Sequence, residues 1–98
     1  MEIEYKNQNL DRLETDAAFA SGFSHDVVKA FRKRIQIIRA ATDECDLYNI
    51  RGNRFEKLKG DRSHQYSMRL NDQWRLILEI RQTSPKHIVV VIDIEDYH

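Results

Sequence analysis

Tyr66-Ser67-Met68-Arg69-Leu70-Asn71-Asp72-Gln73-Trp74-Arg75-Leu76-Ile77-Leu78-Glu79-Ile80-Arg81 reads as two strands joined by a short polar turn. In the first strand Tyr66, Met68 and Leu70 alternate with Gln65, Ser67 and Arg69; in the second Trp74, Leu76, Leu78 and Ile80 alternate with Arg75, Ile77, Glu79 and Arg81. A period of two places alternate side chains on opposite faces of a sheet. Asn71-Asp72 between them are turn formers. The apolar sets require a covering layer, and Arg69 and Arg75 both project from the opposite, uncovered face. Downstream, Ile88 to Ile94 is rich in β-branched residues and apolar on both faces until Asp93, the mark of a well-buried strand, with Thr83 to Lys86 as the connecting turn.

The covering layer lies upstream. Ser24 is a good N-cap with Asp26 in the first turn, and Val27, Val28, Phe31, Ile35 and Ile38 form an apolar stripe on a helix expected to end near Thr42. Phe23, just before the cap, is placed to staple onto Val28. Lys29, Arg32, Lys33, Gln36 and Arg39 lie mostly off the stripe. An earlier helix is expected from Leu10 to Ala20, stopped by Ser21-Gly22, and Ile3 and Tyr5 mark a short first strand. From Leu47 to Gly60 the pattern loosens, with a helical turn expected around Phe55 to Leu58. The chain is thus expected to be a single domain over residues 1–98, of α+β class, with two N-terminal helices packed on one face of a small twisted, mostly antiparallel sheet.

Composition narrows the function classes. The 98 residues hold no apolar run approaching the roughly 18 residues of a membrane span, and the start lacks a basic segment followed by an apolar one, so a cytoplasmic protein without membrane contact is expected. Cys45 is the single cysteine and its neighbours Asp43, Glu44 and Asp46 are acidic, which argues for a structural thiol and not a nucleophile. His25, His64 and His87 show no metal-ligand spacing, so neither metal nor cofactor is expected. Lys plus Arg balances Asp plus Glu at 16 each, but the charge is unevenly spread. Residues 1 to 26 carry six acids against two bases, and residues 51 to 75 carry seven bases against three acids. A neutral chain can therefore still present one basic face to a polyanion.

Three pieces of sequence then combine. Leu58-Lys59-Gly60-Asp61-Arg62, Ser67-x-Arg69 leading to Gln73-Trp74-Arg75, and Asp96-Tyr97-His98 after a β-branched strand resemble, in content and order, the HigB branch of the RelE/ParE toxin superfamily. The resemblance implies a RelE-like microbial-ribonuclease fold, cleavage of messenger RNA in the ribosomal A site, and neutralisation by a HigA-like helix-turn-helix antitoxin, with DNA reached only through that antitoxin. Metal-free RNA cleavage with the 2′-hydroxyl as nucleophile needs a base for its proton, cations for the charge on the phosphorane and a proton source for the 5′-oxygen.

His98, with an ordinary pKa near 6.5, is the expected general base. Lys59 and Arg75 are the expected charge stabilisers, Arg75 with a guanidinium fork suited to phosphate. Tyr97 is read as hydrogen-bonding the scissile phosphate or stacking on a base, and Asp96 as orienting His98 or contacting the 2′-hydroxyl. Arg62, Arg69 and Gln73 are expected to bind RNA. Ordinary readings stand beside these: a terminal histidine is commonly a frayed tail, Lys59 beside Gly60 can be a plain loop lysine, and Trp74 is read as core. Two other functions fit the same fold, a ParE-like gyrase poison that needs no catalytic residues and a non-catalytic antitoxin-binding domain. The outer side of the long helix, at Arg32 and Arg39, is expected to meet acidic antitoxin residues.

Overall fold

The computed structural model describes residues 1–49, 52, 54–82 and 87–96. Strand β1 (Glu2–Tyr5) leads into helix α1 (Gln8–Thr15), helix α2 (His25–Ala40) and the short helix α3 (Glu44–Tyr48). Strands β2 (Glu56–Lys57), β3 (Tyr66–Arg69), β4 (Trp74–Gln82) and β5 (His87–Asp96) complete the chain. The strands form one sheet in the order β1-β5-β4-β3-β2, antiparallel except that β1 lies parallel to β5. This is the expected α+β layering, with one helix and one strand more than the periodicity indicated.

The helices begin where their caps dictate. Ser24 accepts a hydrogen bond from the Val27 amide at 3.4 Å, Asn7 caps α1 through the Leu10 amide at 3.0 Å, and Asp43 caps α3 through the Cys45 amide at 3.0 Å. Helix α2 carries Val27, Val28, Phe31, Ile35 and Ile38 fully into the core, against Leu10 and Leu13 of α1, Leu47 of α3 and Met68, Leu76, Leu78, Val89, Val91 and Ile94 of the sheet. Phe23 meets Trp74 edge to face, with ring centroids 5.5 Å apart, so the residue before the cap reaches into the core from the end of β4.

Several expectations need correction. Helix α1 ends at Thr15, not Ala20, because Asp16 turns the backbone into an extended conformation and its carboxylate accepts the Ala18 amide. Ser21 and Gly22 both take positive φ, but they shape the following loop instead of stopping a helix. The expected helical turn at Phe55 to Leu58 is instead strand β2, whose Glu56 and Lys57 pair with Ser67 and Tyr66. Phe55 is buried and stacks on Tyr66 with centroids 5.1 Å apart, so packing against β3 overrides local preference. The short α3 was absent from the sequence reading. The turn expected at Thr83 to Lys86 lies outside the described residues.

Arg32 and Arg39 also have work within the fold. Arg32 donates to the carbonyls of Leu13 at 2.8 Å and Asp16 at 3.0 Å, tying α2 to the end of α1. Arg39 grips Glu14 with both sides of its guanidinium, at 3.0 and 2.6 Å. Unsatisfied carbonyls at a helix end and a carboxylate across the helix pair explain both, so these two side chains join α2 to α1, with Arg39 remaining exposed.

Pairing between β4 and β5 slips once. Ile77 lies opposite Asp93, whereas Leu78 lies opposite Val91, which leaves Ile92 as an extra residue in β5. Such a bulge inverts the alternation beyond it. Val89 and Val91 face the helices, and past the bulge it is Ile94 that is buried among them, which turns Glu95 to the other face.

Candidate RNA-facing surface

Residues directly opposite in an antiparallel pair share a face of the sheet. Arg69 lies opposite Arg75, and Arg75 opposite Glu95, so these three form a row across β3, β4 and β5 on the side away from the helices. The paired arginines expected from alternation are thereby brought together. The backbone behind them is held from the other layer: Arg34 of α2 donates its Nε–H to the Arg69 carbonyl at 3.0 Å. Burial, then the neighbouring Arg69 charge, lowers the Arg34 pKa, as expected for a guanidinium set between the layers. Arg34 was missed at the sequence level because its position at the margin of an apolar stripe carries no chemical signature.

Arg62 joins the row from outside the strands. Lys59 and Gly60 open a 3-10 turn over Gly60–Arg62, in which Gly60 takes a φ of +66° that favours glycine. The turn brings the Arg62 fork onto Glu95, with Nη1 2.9 Å from Oε1 and Nη2 2.6 Å from Oε2. Arg75 approaches the same carboxylate at 3.5 Å. Arg62 Nε–H is taken by Gln65 at 3.0 Å, and Gln65 in turn donates to Glu79 at 3.4 Å. His64 lies 4.0 Å from Glu79 at the far end of this chain of contacts. The Arg62 hydrogen bonds, and secondarily the Arg62 and Arg75 charges, hold the Glu95 carboxyl below its ordinary pKa. Glu95 and Gln65 are further members of the site that no motif singled out.

The remaining expected residues are spread around this row. Arg69 forms an ion pair with Asp72 and donates to the Asn71 carbonyl at 3.3 Å, closing the turn between β3 and β4. Gln73, exposed at the start of β4, donates to Asp96 at 3.0 Å. Asp96 itself lies opposite Trp74, on the helix side of the sheet, so the bulge and alternation separate it from the face that carries Arg75 and Glu95. Trp74 is half-buried and packed against the core, as read from sequence. Lys59 is exposed, and its carbonyl accepts the Arg62 amide at 3.4 Å. Tyr97 and His98 lie outside the described residues.

The described residues of the site form a charged row on the sheet surface. A shallow cleft of about 400 Å³ lined by Ile37, Ala40, Ala41, Asp46 and Asn49 lies between α2 and α3 and shares no residue with the arginine row. Among the described residues no cluster of His, Cys, Asp and Glu could hold a metal ion, and no helix is long and apolar enough to cross a membrane. What the surface offers is guanidinium forks already engaged with a carboxylate, a geometry equally suited to phosphate oxygens.

Comparison with known proteins identifies the family. Residues 3–98 match the family model of the HigB-like toxins, described as the RelE-like toxin of type II toxin-antitoxin system HigB. The chain is 33% identical over 79 residues to Toxin HigB-1 of Vibrio cholerae serotype O1, a match covering 81% of this chain and 83% of that protein. A YoeB/ParE toxin from Agrobacterium tumefaciens has the same fold, with a TM-score of 0.63 at 18% identity and full coverage of both chains. This chain therefore belongs to the HigB-like family of RelE-like toxins, and is the toxin half of a type II toxin-antitoxin pair.

Proposed function

We propose that this toxin is a ribosome-dependent messenger-RNA endonuclease of the cytoplasm that inhibits translation and is neutralised by a HigA-like helix-turn-helix antitoxin. The observation that carries the reading is the row Arg69, Arg75 and Glu95 with Arg62 folded onto it, a set of guanidinium forks on the sheet face away from the helices. A protein that acts only by occupying a partner's surface has no chemical need for such a row of guanidinium forks together with the sequence Asp96-Tyr97-His98.

In this mechanism His98 takes the proton of the 2′-hydroxyl as its oxygen attacks the neighbouring phosphorus. Arg75 and Lys59 stabilise the charge that builds on the phosphorane oxygens. The bond to the 5′-oxygen breaks, that oxygen takes a proton from solvent, to which the protonated His98 returns its own, and a 2′,3′-cyclic phosphate and a 5′-hydroxyl end remain. Tyr97 hydrogen-bonds the phosphate or stacks on a base, and Asp96, which accepts from Gln73 at 3.0 Å, orients His98 or contacts the 2′-hydroxyl. Arg62, Arg69 and Gln73 bind the flanking RNA.

The test is primer extension on messenger RNA from a translating extract given wild-type protein or a His98→Ala variant. Cleavage within codons that disappears with the variant is the expected result. Intact messenger RNA with wild-type protein overturns the endonuclease reading in favour of gyrase poisoning or antitoxin binding alone.

A further inference from the structure

Glu95 fills the guanidinium fork of Arg62. Its two oxygens take both outer nitrogens of Arg62, at 2.9 and 2.6 Å, and one of them lies 3.5 Å from Arg75. A carboxylate and the two non-bridging oxygens of a phosphodiester present the same two-oxygen edge to a guanidinium fork. We propose that Glu95 is the resident counter-anion of a phosphodiester-binding site formed by Arg62 and Arg75, and that an RNA phosphate takes the place of its carboxylate. This inference rests on the proposed action on RNA and names the residue that limits its binding.

Three features make the exchange physically reasonable. The side chains of Arg62, Arg75 and Glu95 are 38%, 22% and 31% exposed, so the pair is reached by solvent and by a ligand without unfolding. Ion pairs at such exposure contribute little to stability, so giving one up costs little. Arg62 is also held independently of Glu95, since its Nε–H goes to Gln65 at 3.0 Å and Gln65 is braced on Glu79 at 3.4 Å. The fork stays aimed when its outer nitrogens change partner.

Placement of Glu95 is itself specific. Unbroken alternation from Val89 and Val91 would turn residue 95 toward the helices, and the bulge at Ile92 turns it onto the arginine row. Arg69 and Arg75 stand directly opposite each other, where like charges repel, and Glu95 lies next in that row beside Arg75. An internal counter-anion relieves that repulsion in the free protein and lowers affinity for stray polyanions.

The experiment compares wild-type protein with Glu95→Gln, Arg62→Ala and the double variant by fluorescence anisotropy, using a labelled 2′-O-methyl RNA hexamer that cannot be cleaved. Circular dichroism melts confirm that each variant is folded. Glu95→Gln is expected to tighten binding about three- to tenfold and to steepen the salt dependence by about 0.7 in the log-log slope for each additional phosphate neutralised. On the Arg62→Ala background the Gln substitution is expected to lose most of that gain.

Equal or weaker binding by Glu95→Gln, absence of binding by both proteins, or the same gain without Arg62 overturns the proposal. Because the hexamer cannot react, the two readings fail separately. Codon-specific cleavage without tightening removes only this inference, and tightening with intact messenger RNA in the extract removes only the endonuclease reading.

Discussion

Arg34 on α2 donates its Nε–H to the carbonyl oxygen of Arg69 at 3.0 Å, so a helix on one side of the sheet fixes the backbone of the strand that presents an arginine on the other. Its Nη2 also lies 3.5 Å from the Gly52 carbonyl. Replacing Arg34 by Met keeps much of the aliphatic stem and leaves a partly buried carbonyl without its donor. The expected loss is about 1–3 kcal/mol in urea unfolding, with Lys restoring little because it lacks the planar fork. A Met variant as stable as wild type would show that water serves the carbonyl equally well.

Phe31 is fully buried at the centre of α2, among side chains of α1 and the sheet. Phe31→Ala is expected to cost about 3–5 kcal/mol through lost burial and the cavity left behind. Arg32→Ala, which removes donors to the Leu13 and Asp16 carbonyls, is expected to cost less, about 1–2 kcal/mol. Chemical denaturation of both variants ranks the two effects, and a larger loss at Arg32 would contradict the core assignment.

Acid should cost the protein stability mainly at Glu14, with a smaller share at the more exposed Glu95. Glu14, chiefly by its Arg39 hydrogen bonds, and Glu95, chiefly by its Arg62 hydrogen bonds, lie below the ordinary value of 4.5. Groups lowered in the folded state contribute stability that is complete above the unfolded pKa and is lost as pH falls through the folded one. Stability should therefore fall as pH drops below about 5, and Glu14→Gln should lose less over the acid range than wild type. An identical loss in both proteins would remove Glu14 from the account.

Tyr5 gives the opposite edge of the pH profile. Burial first, and the carboxylate of Glu14 to which its hydroxyl donates second, raise its pKa above the ordinary 10.0. A raised acid stabilises the fold fully below the unfolded pKa and less as pH climbs beyond it. Wild-type protein should lose stability above about pH 10, and Tyr5→Phe should flatten that loss while costing about 1 kcal/mol at neutral pH from the missing hydrogen bond. Thermal melts across alkaline buffers measure both.

The β5 bulge permits a test by length. Deleting Ile92 removes the extra residue and leaves Val91 and Ile94 facing the helices with Glu95 opposite Arg75. Inserting one glycine after Ile92 demands a second unpaired residue or slides Glu95 two places along β4, with Gly opposite Leu76 and Asp93 opposite Arg75. The deletion is expected to leave the urea midpoint higher than the insertion does, because the insertion replaces a paired core position by glycine or adds a second unpaired residue. The reverse order would mean that the bulge is not what sets the face of Glu95.

Local periodicity determined much of this molecule from sequence alone. The alternation of Tyr66 to Leu70 and Trp74 to Ile80 placed Arg69 and Arg75 on one face, and the Ser24 cap with its apolar stripe placed α2, because both depend only on backbone geometry and nearest neighbours. Motif order along the chain was enough to indicate the family. Tertiary structure alone decided the rest. Strand β2 exists because Phe55 finds Tyr66, Arg32 and Arg39 reach across to α1 because it supplies carbonyls and Glu14, and Glu95 meets Arg62 across 33 residues because one bulge inverted the alternation of β5. Each of these depends on groups far apart in the chain, and a local pattern carries no record of which distant partner will satisfy a carbonyl, a ring or a charge.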